Sequence, residues 1–131
     1  MATWKNWAET VVYTGLEENF VPRTLDELKA VVRSSAQKGW KLRAVGSGHA
    51  WSNLGVPSRC RGAVIEMKKL DKILDLHDNV VTVQGGMKLE DFTEALFQRG
   101  FALENLGDAN PQTIAGVVAT ETHGSGRTLT F

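Results

Sequence analysis

Apolar residues three and four positions apart mark the first predicted helix of this chain. They are Leu25, Leu28, Val31 and Val32, which would share one helix face. Thr24 stands before them as an N-cap, and Glu27 follows it by three residues as its capping-box partner. The pattern predicts a helix that begins after Thr24 and ends near Gly39.

Runs of β-branched and apolar residues, bounded by turn-forming residues, predict strands. The predicted strands cover residues 9–13, 40–45, 62–67, 73–76, 80–83 and 101–103. The polar turn at residues 77–79 joins two of them into a hairpin, which ends at two consecutive glycines. Pairing of the strands is not fixed by this pattern.

Helical spacing returns twice in the second half of the chain. Its first occurrence is at Leu89, Phe92, Leu96 and Phe97, followed by Gly100 as a terminator. A short helix beginning near Pro111 would carry Ile114, Val117 and Val118. The order of strand, helix, strands, helix, strand and short helix predicts an α+β or mixed α/β domain.

Composition narrows the class of protein. The 131 residues suit one domain, and 42% hydrophobic with 23% charged residues is ordinary for a folded globular chain. Fifteen basic residues balance fifteen acidic ones, which argues against nucleic acid or an anionic membrane as partner. No apolar run approaches a membrane span, and the lone Cys60 suits a reducing compartment, so we expect a cytoplasmic protein.

The stretch after the predicted strand at 40–45 is the first candidate site. Gly46 and Gly48 lack Cβ atoms and would let backbone N–H groups converge on phosphate oxygens. A dinucleotide fingerprint is disfavoured because Trp51 stands where its third glycine belongs. A hydrolase elbow is disfavoured too, since Gly-x-Ser-x-Gly is absent there. A simple turn containing a histidine stays open.

A second stretch repeats Gly-Ser-Gly beside a histidine, about 75 residues further on, at residues 120–127. Two such loops facing each other would suit an extended anionic ligand such as a diphosphate. The helix near Pro111 would add free N–H groups at its N-terminus, with Asp108 or Asn110 as its cap. The spacing of His49, His77 and His123 predicts no metal site.

Taken together, residues 43–52 and 108–126 resemble the PCMH-type FAD-binding domain of the vanillyl-alcohol oxidase family, and within it the aldonolactone and alditol oxidase branch. The resemblance extends from about Thr14 over nearly the whole chain. It implies an α+β FAD domain of two subdomains, with residues 14–84 in the first and 85–131 beginning the second. It also implies that the chain is the N-terminal part of a longer protein whose substrate domain is absent here.

The resemblance further implies which residues contact FAD. In the first loop they are Val45, Gly46, Ser47, Gly48, His49, Ala50 and Trp51. In the second region they are Asp108, Thr113, Gly116, Thr120, Glu121, Thr122 and His123. His49 matches the histidine that many members bond covalently to the flavin 8α-carbon. Glu121 departs from the family, which commonly has glycine at that position.

The implied function is that of an FAD-dependent oxidoreductase that oxidises a CH–OH group of a sugar-derived polyol or lactone. Residues acting on that substrate would lie in the absent domain, so no catalytic residue is assigned in this chain. An alternative is a stand-alone or truncated FAD-binding module, or half of a split enzyme that needs a partner chain. A third possibility is an unrelated nucleotide-binding or hydrolytic domain.

Overall fold

The computed structural model describes residues 1–55, 57 and 61–126. Seven strands, three helices and a 3-10 turn at Asn53–Gly55 are described. The strands are β1 (Ala2–Lys5), β2 (Val12–Leu16), β3 (Glu18–Phe20), β4 (Lys41–Val45), β5 (Gly62–Glu66), β6 (Ile73–His77) and β7 (Val80–Val83). The helices are α1 (Leu25–Gln37), α2 (Leu89–Phe97) and α3 (Ile114–Ala119). The predicted mixture of sheet and helix is confirmed.

A parallel sheet with the order β3-β5-β4 forms the centre of the first half. Its middle strand β5 buries Ala63, Val64 and Ile65 in succession, as expected of a parallel strand covered on both faces. Strand β4 pairs with it from Lys41↔Gly62 to Val45↔Glu66. The glycine loop, which consists of residues 46–50, therefore leaves the sheet beside Glu66.

An antiparallel pair, β1-β2, packs against this sheet. Trp4 of β1 and Leu16 of β2 form one buried cluster with Val45 and Val64. Because Val45 is the last residue of β4, this cluster lies directly below the start of the glycine loop. The N-terminal strands thus support the loop from beneath.

A second buried cluster organises the rest of the chain. It consists of Met87, Leu89, Phe92 and Leu96, with side chains of the β6-β7 hairpin and α3 packed against it. Two backbone hydrogen bonds join residues 87–89 to residues 112–114. Leu89 N donates to Gln112 O at 2.8 Å, and Ile114 N donates to Met87 O at 2.9 Å. These contacts fix where α3 begins. The division into subdomains near residue 84 stays a prediction.

Most predicted elements are confirmed. Helix α1 begins after Thr24, whose Oγ1 accepts from Glu27 N at 3.1 Å. The Glu27 carboxylate accepts from Arg23 N at 2.7 Å, whereas in a capping box it would accept from Thr24 N. Strands β4, β5, β6 and β7 and helix α2 lie within one or two residues of their predicted bounds.

Two strand predictions need correction, and two strands were missed. Residues 101–103 are not a strand, since Phe101 N bonds to Leu96 O at 3.0 Å to finish α2 while its side chain packs on the second cluster. The strand predicted at 9–13 lies at 12–16, because a turn occupies residues 6–11 and Glu9 has a φ of +55°. Strands β1 and β3 were not predicted, being short and mixed in polarity.

Candidate functional site

A cavity of about 310 Å³ lies between the loop after β4 and helix α3. Nine of the predicted site residues line it. They are Val45, Gly46, Ser47, Gly48, His49 and Ala50 on one side, and Thr113, Gly116 and Thr120 on the other. The structure therefore brings together the two segments that the sequence assigned to one site.

The loop at 46–50 approaches the start of α3 so closely that only glycine fits at Gly46. A Cβ there would overlap Thr113 Oγ1 and lie 2.9 Å from Thr113 Cγ2. Next to it, the Ser47 hydroxyl donates a hydrogen bond to the Pro111 carbonyl. These contacts join the two walls at one end of the cavity.

The backbone N–H groups of this loop are available to a ligand. Among the residues that the structure describes, none accepts a hydrogen bond from the N–H of residues 46–50. Gly48 has a φ of +70°, a left-handed conformation that glycine adopts without strain. Successive free N–H groups in such a loop can bind the oxygens of an anion.

Helix α3 does not offer the free N–H groups that the sequence predicted for it. Ile114 N and Ala115 N donate to Met87 O and Gly85 O, both at 2.9 Å. Gly116 N donates to Thr113 Oγ1 at 3.3 Å. The cap is thus Thr113, not Asp108 or Asn110, and the segment at 85–87 takes the remaining donors. The first three N–H groups of α3 are therefore not available to a ligand.

Two residues that line the cavity, His49 and Gln112, each have a buried polar atom without a partner within the described part of the chain, His49 Nε2 and Gln112 Oε1. Because an unpaired buried polar atom costs about 1–3 kcal/mol, such atoms mark a place where a ligand is expected to bind. The free N–H groups of the loop fit phosphate oxygens, and the acceptor Gln112 Oε1 fits a hydroxyl or ring N–H of a nucleotide cofactor. The residues present therefore fit FAD.

Sequence reasoning missed several lining residues, Gln112 above all. The others are Trp4, Arg43, Ala44, Leu54, Gly55 and Ala119. A signal for Gln112 existed, since a long polar side chain stands directly before the N-cap of a glycine-containing helix. Arg43 precedes the loop on β4 and adds a cationic side chain to the lining.

Five of the predicted residues do not line the cavity: Trp51, Asp108, Glu121, Thr122 and His123. Trp51 is 70% exposed and meets Trp7 edge to face at 6.0 Å. His123 is exposed, and its Nδ1 lies 2.7 Å from Gly124 O. The expectation that both Gly-Ser-Gly loops face one ligand is not met within this cavity, because the second loop folds back on its own neighbours.

Glu121 adopts the backbone conformation that the family's glycine would favour. Its φ is +51°, in the left-handed region. Glu121 N donates to Val118 O at 3.3 Å, and Thr122 N to Val117 O at 2.9 Å. Glu121 therefore has a backbone conformation that is strained for a residue with a Cβ.

On the other side of the loop, a polar hollow contains Glu66 with Thr3, Lys5 and residues 46–48. Burial raises the pKa of Glu66, but hydrogen bonds from Lys68 and Asn19 outweigh it, so the net pKa lies below its usual value of 4.5. Asn19 Nδ2 donates to Glu66 Oε1 at 2.7 Å. Glu66 is thus ionised at neutral pH beside the loop.

None of the helices in the described residues has the length and apolar character to traverse a bilayer. Within the same residues, no three His, Cys, Asp or Glu side chains converge as metal ligands would.

Comparison with known proteins gives a family match over residues 19–130, to a family described as FAD binding domain. The chain is 38% identical over 125 residues to L-gulono-1,4-lactone dehydrogenase of Mycobacterium tuberculosis, covering 94% of this chain and 28% of that protein. It is 35% identical over 129 residues to D-arabinono-1,4-lactone oxidase of Saccharomyces cerevisiae, covering 93% and 24%. The chain thus spans about a quarter of the length of these relatives.

Solved structures show the same fold. Cholesterol oxidase from B. sterolicum superposes with a TM-score of 0.80 at 20% identity, over 94% of this chain and 24% of that one. A solvent-stable cholesterol oxidase gives a TM-score of 0.75 at 26% identity, over 93% and 24%.

Proposed function

The chain belongs to the FAD-binding domain family, and from that premise we propose that it is the flavin-binding part of an oxidoreductase of the lactone oxidase and dehydrogenase type. The observation that carries this proposal is the loop at 46–50. Its residues line the cavity, no described residue accepts a hydrogen bond from its N–H groups, and the lining residues His49 and Gln112 each have an unpartnered buried atom.

The residues of the cavity have distinct proposed roles. The N–H groups of Ser47, Gly48 and His49 bind the diphosphate oxygens. Such binding requires no excess of basic residues, and the formal net charge of the chain is zero. Gln112 Oε1 accepts a hydrogen bond from a hydroxyl or N–H of the cofactor. Thr113 and Gly116 form the opposite wall, where small side chains leave room for the ligand.

When bound, FAD supplies an acceptor for a hydride from the substrate. The chain's own part is to hold that acceptor in one place and keep its phosphates out of bulk water. We propose that the substrate carries a CH–OH group and is a lactone or polyol derived from a sugar, in keeping with the named activities of the relatives. Residues that bind it are proposed to lie outside this chain.

We further propose that His49 holds the flavin covalently. An imidazole nitrogen of His49 would lose its proton and bond to the 8α-carbon, which would lose one proton in turn. Formation of this bond is a two-electron oxidation, and dioxygen would be its terminal electron acceptor. His49 lines the cavity and its Nε2 is buried without a partner among the described residues, which supports this role.

The test is to incubate the purified chain with FAD and record its visible spectrum before and after gel filtration. Acid precipitation then separates bonded flavin, whose fluorescence stays with the protein, from flavin that is only bound. We expect retained fluorescence in the natural chain and in His77→Ala, a matched surface control whose side chain is 79% exposed. His49→Ala should bind FAD and release all of it in acid.

Two results would count against the proposal, and they are distinguishable. A chain that stays colourless at saturating FAD would refute flavin binding. Yellow protein that releases all flavin in acid would refute the covalent bond and leave FAD binding intact.

A further inference from the structure

The first 18 residues lie outside the part of the chain that matches the family, yet they hold the glycine loop in place. A turn at residues 6–11 is centred on Asn6, which is only 2% exposed. Asn6 Nδ2 donates to Thr10 Oγ1 at 2.9 Å, and Asn6 Oδ1 accepts from Val11 N at 2.9 Å. The buried amide thus has partners within the turn for both its nitrogen and its oxygen.

The turn contacts the loop on both sides of His49. Trp7 N donates to Gly48 O at 2.9 Å, and Asn6 Nδ2 donates to Ala50 O at 3.1 Å. A Cβ on Gly48 would lie 3.2 Å from Trp7 N and 3.3 Å from Asn6 Cα. The residues before and after His49 are thus fixed to the N-terminal turn.

The side chain of His49 is held as well. The Trp7 and His49 rings stack with centroids 4.8 Å apart and planes inclined by 18°. Stacking restricts the plane of the imidazole, and with it the direction of Nε2. Since Trp7 is 59% exposed, its ring contributes little to the buried core.

We propose that Trp7 is a positioning residue for His49, and that Asn6 fixes the position of Trp7 relative to the loop. This inference rests on the proposed flavin attachment at His49. Trp7 would set the rate at which His49 bonds to the flavin while leaving non-covalent affinity for FAD unchanged. A misplaced nucleophile slows a bond-forming step steeply even when binding is intact.

The experiment compares Trp7→Leu with Trp7→Phe, because both keep the backbone N–H that bonds to Gly48 and only phenylalanine keeps an aromatic ring. Trp40→Leu is the matched control, since Trp40 is partly buried and contacts Lys38, not the cavity. In Trp7→Leu we expect attachment to slow by about tenfold to a hundredfold, as judged by acid-stable flavin fluorescence over time. Trp7→Phe should recover most of the rate, and Trp40→Leu should match the natural chain.

Two further measurements separate positioning from a general structural role. In the cofactor-free chain, NMR of the histidine rings should show a ring-current shift for His49 that is lost in Trp7→Leu and largely kept in Trp7→Phe. In a His49→Ala background, where no bond can form, Trp7→Leu should change the Kd for FAD by no more than about twofold, which is under about 0.5 kcal/mol.

The inference is overturned if Trp7→Leu attaches flavin at the natural rate, if Trp7→Phe is as slow as Trp7→Leu, or if Kd weakens in step with attachment. Should the natural chain bind FAD without bonding to it, the ring-current shift decides, and its persistence in Trp7→Leu refutes the stacking. A natural chain that takes up no FAD defeats the proposed function instead, and the NMR comparison still tests how His49 is held.

Discussion

Two Gly-Ser-Gly motifs beside a histidine, at residues 46–48 and 124–126, look alike in the sequence and differ in the structure. The first lines a cavity, none of the described residues accepts from its N–H groups, and the neighbouring His49 is partly buried and stacked. In the second, Gly124 N is bonded to Asn105 Oδ1 at 2.8 Å and His123 is exposed. The motif by itself therefore does not distinguish a loop on a cavity lining from a loop packed against neighbouring segments.

The neighbouring elements explain this difference. The first motif leaves a parallel strand whose hydrogen bonds end at Val45, so the loop has no strand beside it to take its donors. Around the second motif, the segment at 105–107 packs closely, and Gly107 has Thr122 against it. The same composition therefore lines a cavity in one place and packs against neighbouring segments in the other.

The largest expected effect comes from closing the first loop. Gly46→Ala places a Cβ on Thr113 Oγ1, and overpacking of this kind costs roughly 1–3 kcal/mol. We expect lower stability in urea and loss of FAD binding in a fluorescence titration. Gly15→Ala is the control, because its Cβ would have an ordinary contact of 3.5 Å with Tyr13. Unchanged FAD affinity in Gly46→Ala would remove this loop from the site.

Gln112→Leu should move stability and affinity in opposite directions. Removing a buried acceptor without a partner stabilises the cofactor-free chain by about 1 kcal/mol, while FAD loses a hydrogen bond and binds about tenfold more weakly. Thermal melts with and without FAD measure both. Gln98→Leu is the control on the surface of α2, where the amide bonds to Glu94. Weaker stability together with unchanged affinity would show that Gln112 is purely structural.

Glu121→Gly tests the second region. A non-glycine residue in the left-handed conformation is strained by about 1 kcal/mol, so glycine should stabilise the chain by up to that amount. FAD affinity should not change, because Glu121 does not line the cavity. Asp78→Gly, at a φ of +52°, should stabilise the chain by less, since aspartate tolerates the left-handed region better than glutamate. A change in FAD affinity would bring the second region into the site.

The smallest expected effect concerns pH and the support of the first loop. Because the pKa of Glu66 is lowered in the folded chain, its contribution to stability is complete above pH 4.5 and is lost as the pH falls through the lowered value. The contribution is well under about 1 kcal/mol, as solvent screens the ion pair with Lys68. Urea midpoints at pH 7 and pH 3 should differ less in Glu66→Gln than in Glu18→Gln, an exposed control in the same sheet. Equal differences in both variants would contradict this role.

The hydrophobic pattern by itself determined the helices α1 and α2, the strands β4 and β5, and the hairpin β6-β7. These elements follow from local spacing and from residues such as Thr24 and Gly100, whose effect extends over one helix turn. The pattern also located the loop at 46–50, because glycine directly after a strand is a local signal. A resemblance carried by two motifs identified the family, and the family match confirmed it.

Tertiary contacts decided which of these residues form a site. Whether an N–H is free depends on partners far along the chain: Met87 and Gly85 satisfy the start of α3, and the described residues satisfy none of the donors at 46–50. The stacking of Trp7 on His49 and the burial of Gln112 Oε1 likewise join segments distant in sequence. Hydrogen-bond donors and acceptors are assigned by three-dimensional proximity, which residue spacing does not encode.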